Sequence, residues 1–518
     1  MKTFQTSDDS VVVVIGSGAG GGTLANELSQ RGINLVCLEA GRRLAPEEVV
    51  NDEAVMAERL TWGDTRIGSG IALKQFPVWT CKTVGGTTMH WTASCPRMQE
   101  HEFRARSTYG EIADTSLVDW PISLQDLEPY YDSAEDKMGV TGTHGIARLP
   151  GNNNYKVLES GARAVGYSAI DTNNVAINSA TRDGRTSCQQ LGFCTSGCVV
   201  HAKWSTLYTE ISKAETTDHF ELRPECMAEQ ITLDKEGRVA SVTYRDKQGQ
   251  TVTQQARMVC VAGNAVETTR ILLNSHSKRF PAGLANSSGQ VGRNYMRHFA
   301  LPVIGIMPGP VNMHRGTHQA GIVKDERHHD PQRGFNGGFL FLTVPFTPEI
   351  VAKVVLQDLW GERLAGVMQQ YSHMAAMLLH GEDMPQESNR ITLHPTQLDQ
   401  NGLPVPIIHY ESHPNTEAMK AFAAQRGRAI YAALGAKEVF AVPDVFPATH
   451  NMGVARMGTD PARSVCNSWG QTHDIENLFV SDGSLFPTVG CENPTLTIVA
   501  LVLRQADYIE QQLKKGLI

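Results

Sequence analysis

The chain has 518 residues, of which 41% are hydrophobic and 19% charged, with 47 glycines and ten cysteines. That is the composition of a turn-rich globular protein with room for two sizeable cores. A net charge of −8 gives no footing for nucleic-acid binding, and no apolar run approaches the length of a membrane-spanning helix. The start, MKTFQTSDDS, lacks the charged and apolar regions of an export signal. The expected location is therefore cytoplasmic, unless a co-exported partner carries the signal and takes the chain to the periplasm or inner membrane.

Val11 to Ile15 is a continuous β-branched run, which suits a buried parallel strand. It enters Gly16-Ser17-Gly18-Ala19-Gly20-Gly21, then a helical stretch to Gly32, then a second strand ending at Glu39. Strand, G-x-G-x-x-G, helix, strand and acid form a dinucleotide-binding unit. Gly16 makes the turn, Gly18 admits a pyrophosphate, Gly21 allows helix and strand to pack, and Glu39 takes the ribose hydroxyls. This pattern does not separate NAD from FAD. Gly85 and Gly86 in VGGTTMHW suit backbone pressed against a flat ligand. His90 in that segment is either a packed imidazole or a cofactor contact.

Residues 118 to 138 read as a turn and an acidic amphipathic helix, and 145 to 187 as a long loop region. Cys188, Cys194 and Cys198 follow with C-x5-C-x3-C spacing. Three thiolates so close together suit an iron–sulfur cluster, while free thiols or one disulfide with a spare satisfy the spacing equally. Cys37 and Cys260 fall in expected buried strands. Residues 219 to 255 read as a β-meander, and Met258 onward as a further strand–Gly–helix unit. From 300 to 412 strand-like segments alternate with a helical stretch near 348 to 370, the pattern of a separate sheet domain around a substrate cavity. Residues 415 to 434 read as a helix capped by Asn415.

The C-terminal part carries His450 in HNMG, Asp482-Gly483, and Asn493-Pro494-Thr495 opening an apolar helix. Asn493 reads as its N-cap and Pro494 as its first residue. The helix N-terminus offers positive partial charge to an anion beside it.

Five segments, GSGAGG with LEAG, VGGTTMHW, VAGNAVETTRILL, HNMGVARMG and SDGSLFPTVGCENPTLT, together resemble the glucose-methanol-choline (GMC) flavoenzymes. Among these the look is nearest to the bacterial flavoprotein subunits of glucose, gluconate, fructose and sorbitol dehydrogenases. The resemblance implies an α/β chain: a Rossmann-like FAD-binding domain of discontinuous segments plus an α+β substrate domain with an antiparallel sheet. The expected boundaries are 1–299 for the FAD domain, with a cysteine-bearing insertion at about 140–205, then 300–440 for the substrate domain, and 441–518 returning to the FAD domain. It implies FAD rather than NAD, with His450 as base and Asn493 orienting the substrate hydroxyl. Asp482, Gly483, Pro494 and Thr495 are expected against the flavin. His90 stands where pyranose oxidase and some of these dehydrogenases attach FAD, so a covalent flavin is one expectation and a non-bonded contact the other. By the same resemblance the cysteine trio holds a [3Fe–4S] cluster feeding a cytochrome c or quinone acceptor, with a small subunit carrying the export signal. The expected activity is oxidation of a sugar, polyol or related alcohol. The alternative is a cluster-free oxidase or dehydrogenase of primary alcohols. Trp91, His298 and His413 remain candidates for cavity lining without an assigned role.

Overall fold

The computed structural model describes residues 2–442 and 446–518. Its first layer is a five-stranded parallel sheet in the spatial order Leu478–Val480, Met258–Val261, Val12–Ile15, Leu35–Leu38, Phe220–Arg223. Every residue of the strands at 12–15, 35–38 and 258–261 is buried. That burial on both faces explains the unbroken β-branched runs. Cys37 and Cys260 sit in these strands as fully buried packing residues. The sheet is assembled from pieces more than 400 residues apart in sequence, as a discontinuous flavin domain requires.

The second layer is a six-stranded sheet in the order Glu438–Ala441, Phe299–Ile306, Met374–Gly381, Phe339–Thr343, Gly321–Val323, Ile170–Thr172, all antiparallel. Helices Asn153–Ala164 and Pro414–Ala432 cover one face. Leu158, Ala162, Ile430 and Tyr431 share a core there with Val303 and Leu379. Two three-stranded sheets complete the fold: Arg390–Leu398, Pro404–His409 and Ile67–Ser69, and the meander Met227–Leu233, Val239–Arg245, Thr251–Gln255.

Several local expectations need correction. The stretch 145–187 is not all loop: it holds the helix Asn153–Ala164, capped by the Asn152 side chain on Tyr155 N, and the strand Ile170–Thr172. Its Asn-rich start looked like loop because capping and turn residues are the same residues. Phe220–Arg223 joins the parallel sheet rather than the meander. Asn415 does not cap its helix. His413 does, through Nδ1 accepting from Asn415 N, while Asn415 Oδ1 accepts from Asn336 N. The expected helix near 348 to 370 is broken into Pro348–Val355 and Gly361–Met368.

The C-terminal helix Thr495–Lys514 is held on several sides. Gln505 accepts from Ser481 Oγ and donates to Val480 O and Trp469 O, and Tyr131 Oη bonds Thr497 Oγ1 at 2.7 Å. These bonds tie the helix to the end of the parallel sheet. They fix where its N-terminus emerges.

Candidate active site

One cavity runs along the carboxyl ends of the parallel strands. It is lined by Gly16 to Gly20, Leu38 to Ala40, Gly86 and Thr87, Val261 to Asn264, Asp482 and Gly483, and Pro494 and Thr495. The glycines explain its shape. Gly16 has φ +100°, and a Cβ there would lie 2.4 Å from Ala262 O. A Cβ on Gly21 would lie 2.0 Å from Gly16 O, so Gly21 serves helix–strand packing as expected. At Gly18 the nearest atom to such a Cβ is 3.9 Å away, which leaves the backbone open to a ligand. Gly86 lines the cavity. Gly85 does not: its position faces Ser205 and Leu207, and its N–H donates to Ser17 Oγ.

Glu39 borders the same cavity. Its carboxylate accepts from Ser17 N, Ser17 Oγ and Gly41 N, so its position is fixed with lone pairs to spare. Burial raises its pKa, against those three donors. Asp482 accepts from Thr268 Oγ1 at 2.6 Å and Ser484 N at 2.8 Å, which pins Asp482 and Gly483 to the helix Asn264–Asn274. An elongated, glycine-floored cavity with an acid at the strand end and a helix N-terminus on its wall fits FAD.

A second cavity, about 510 Å³, adjoins the first; His450 and Thr495 line both. Its walls carry His90, Trp91, His298, His380 and Asn493. The Asn493 side chain does not cap the helix. Pro494 takes the cap position and makes no side-chain bond, and the buried Asn493 Oδ1 has no partner. An orphaned buried amide oxygen at a cavity wall is a ligand-facing group. His90 is buried, packs its ring 4.4 Å from that of Trp79, and leaves Nε2 without a partner. Burial first, and Lys203 second, push its pKa down to about 3.

Three histidines converge in this wall. His450 Nδ1 lies 3.0 Å from His298 Nδ1 and 2.9 Å from His380 Nε2. Burial, with His298 beside it, holds His450 well below the usual histidine range, so its imidazole is neutral. Sequence gives His298 no assigned role and nothing local marks His380. It sits in the plain strand Met374–Gly381 with no local signal, and only the sheet brings it to His450. Trp91 lines the cavity and donates its indole N–H to Trp204 O. His413, the cap described above, is not part of the wall.

Cys188, Cys194 and Cys198 are free thiols that line one small void, together with Lys203. The Lys203 ammonium is buried. It donates to Met89 O and Trp91 O at 2.9 Å each and to Cys194 O, tying the cysteine loop to the His90 segment. Burial lowers its pKa to about 8, opposed by the nearby thiols. Three unpaired thiols around a common void, beside a cation, form a donor set that fits an iron–sulfur cluster.

Comparison with known proteins agrees with this layout. Residues 68–300 and 385–501 match family models described as GMC oxidoreductase. A 2-methyl-1,2-propanediol dehydrogenase of Mycolicibacterium austroafricanum is 32% identical over 98% of this chain and 96% of its own. The fructose dehydrogenase large subunit of Gluconobacter japonicus is 29% identical over 98% of both. Among solved structures, pyridoxine 4-oxidase from Mesorbium loti superposes with a TM-score of 0.69 at 14% identity, covering 97% of this chain and 99% of that one. The last likeness speaks for the fold alone.

Proposed function

Since the chain belongs to the GMC oxidoreductase family, we propose that it oxidises the CH–OH group of a sugar, polyol or related alcohol, with FAD in the first cavity and His450 as the base. The observation that carries this reading is the junction of the two cavities. His450 lines both, is neutral, and has Asn493 with a free amide oxygen on the same wall. A neutral imidazole accepts the hydroxyl proton, and the Asn493 amide NH2 donates to the hydroxyl oxygen and orients it. When bound, FAD supplies the two-electron acceptor for the hydride that leaves the carbinol carbon. The N-terminus of the helix Thr495–Lys514, on the wall of that cavity, favours negative charge beside it.

The substrate class is set by the second cavity. Trp79, Trp91, Phe193, Phe346, Tyr371 and Phe446 line it, alongside polar groups that include His298, His380, His450 and Asn493. Such a wall favours a compact or partly apolar alcohol over a bare hexose. The diol-oxidising relative at 32% identity supports this direction. Anaerobic mixing of the FAD enzyme with a panel of sugars, branched diols and aromatic alcohols tests it, with loss of flavin absorbance as the readout. Bleaching by none of them refutes the proposal.

The cysteine trio holds a [3Fe–4S] cluster that takes electrons onward to a cytochrome c or quinone. A small partner subunit carries the export signal to the periplasm or inner membrane. The shared void, the Lys203 charge and the fructose dehydrogenase relative support this. Iron and acid-labile sulfide in anaerobically prepared protein should be stoichiometric and vanish in Cys194→Ser. Iron-free protein sinks the electron relay and leaves the cluster-free alcohol oxidase or dehydrogenase. His90 lines the second cavity and not the first, so a covalent bond through its unpartnered Nε2 requires the flavin ring to reach across the junction, and protein precipitated in acid should then stay yellow. Release of all flavin would leave His90 a non-bonded contact.

A further inference from the structure

The ring nitrogens around His450 form a closed set of donors and acceptors. His298 Nε2 lies 2.9 Å from Gly490 O and 3.3 Å from Val489 O, and His380 Nδ1 lies 3.0 Å from Cys491 O. A carbonyl oxygen only accepts, so both of these nitrogens carry hydrogen. Burial holds both rings neutral, His298 down to about 4 and His380 well below the usual range. A neutral imidazole has one bare nitrogen. The bare nitrogens are therefore His298 Nδ1 and His380 Nε2, and both meet His450 Nδ1. Two acceptors facing one nitrogen leave a single arrangement, in which His450 Nδ1 carries the hydrogen and shares it between them.

Resting on the reading of His450 as the base, we infer that His298 and His380 are positioning residues that lock His450 in the Nδ1–H tautomer, leaving Nε2 bare for the substrate proton. Among the described residues no protein group hydrogen-bonds His450 Nε2. Once Nε2 takes the proton, the imidazolium keeps two acceptors on Nδ1–H in a site where burial opposes its charge. The carbonyls of Val489, Gly490 and Cys491 set both helper rings, and the same backbone runs into Asn493. One stretch therefore fixes the base and the orienting amide together.

Of the nearby charged groups, Glu492 is buried between Cys491 and Asn493, where its Oε2 accepts from Cys491 Sγ and its Oε1 has no partner; the others are engaged elsewhere. The Arg297 guanidinium donates to Phe446 O and lies over the Tyr410 ring. Asp383 accepts from Arg297 N and Met384 N. Glu382 is held by Tyr109 Oη and Gly338 N, and Glu102 accepts from Cys491 N on the far side of the segment.

The test is 15N NMR of the FAD holoenzyme labelled at histidine, with the His450 signals assigned by their loss in His450→Gln. The expected spectrum has a protonated Nδ1 and a bare Nε2 at His450. His298→Leu with His380→Leu removes both acceptors and should give mixed tautomers in the same spectrum. His298→Asn and His380→Gln place an amide oxygen at the same point and should restore the single tautomer. A merely structural role would not separate these pairs. A hydrogen on Nε2 in the wild type overturns the inference, as do Leu variants that keep the single tautomer. The three nitrogens also lie close enough together for a metal ion. Stoichiometric zinc lost in His380→Leu would make them ligands and overturn the lock. If His450→Gln still bleaches the flavin at the wild-type rate while the tautomer is as inferred, the base assignment fails and the lock stands. If His450→Gln is inactive and the wild-type tautomer is mixed, only the lock fails.

Discussion

Replacing Glu382 by Gln should make the protein more stable at neutral pH, and the gain should grow with pH. Glu382 follows the strand Met374–Gly381, two residues beyond His380, and is buried. Tyr109 Oη donates to its two oxygens at 3.0 and 3.1 Å and Gly338 N to one at 3.0 Å. Burial, then the neighbouring Glu102, raises its pKa from 4.5 to about 8. A folded pKa above the unfolded one means that the fold favours the neutral form. The contribution is fully present below pH ~4.5 and is lost as pH rises through about 8. At about 1.36 kcal/mol per unit, the ionisable group costs about 3 kcal/mol at pH 7, and the loss from pH 5 to pH 8 is about 3.5 kcal/mol. Gln has the same shape, keeps an oxygen for Gly338 N and never ionises. Taking an unfolding entropy of about 2.1 cal/mol/K per residue over 518 residues, 3.5 kcal/mol is a shift of about 3 °C in Tm. Thermal unfolding of both proteins from pH 5 to 8 measures this directly. Equal slopes with pH, or a Gln variant less stable at pH 7.5, would show that the buried carboxyl is ionised and stabilising.

Three further outcomes are expected. Asn154 Oδ1 accepts from Ala376 N at 3.0 Å and its amide donates to Ala376 O at 2.8 Å; Ala376 O keeps Val344 N, so Asn154→Ala strands the buried Ala376 N–H and should cost about 2 kcal/mol in urea titration. Gly16→Ala needs a Cβ 2.4 Å from Ala262 O at φ +100°, so the protein should purify without flavin, seen as loss of absorbance near 450 nm. Lys203→Met releases three carbonyls on two segments and should lower FAD retention and iron content together. Loss of neither would mean that the tie between the loops carries no function.

The nucleotide-binding unit was legible because its signals are local. The run Val11 to Ile15, the glycines and Glu39 each have one physical use within a single turn of chain, and each lines or shapes the cavity. His450 and Asn493 were legible through the segments around them. What sequence hid is what only tertiary packing creates. His380 lies in an ordinary buried strand and gains meaning from the register that pairs it with Ala300. Asn reads as a cap at both Asn415 and Asn493, but Asn415 Oδ1 takes Asn336 N instead and Asn493 Oδ1 is left without a partner at the cavity wall. Lys203, in a segment that reads as plain loop, shows its role only through carbonyls about 9 to 114 residues away.

The central claim is that His450 removes the hydroxyl proton. Stopped-flow flavin reduction by the fastest alcohol of the panel, under anaerobic conditions, tests it in His450→Ala with FAD content matched to the wild type. Loss of a general base should slow reduction by about 100-fold or more, with partial recovery at high pH where hydroxide substitutes. Reduction at the wild-type rate in a fully flavinated His450→Ala would contradict it.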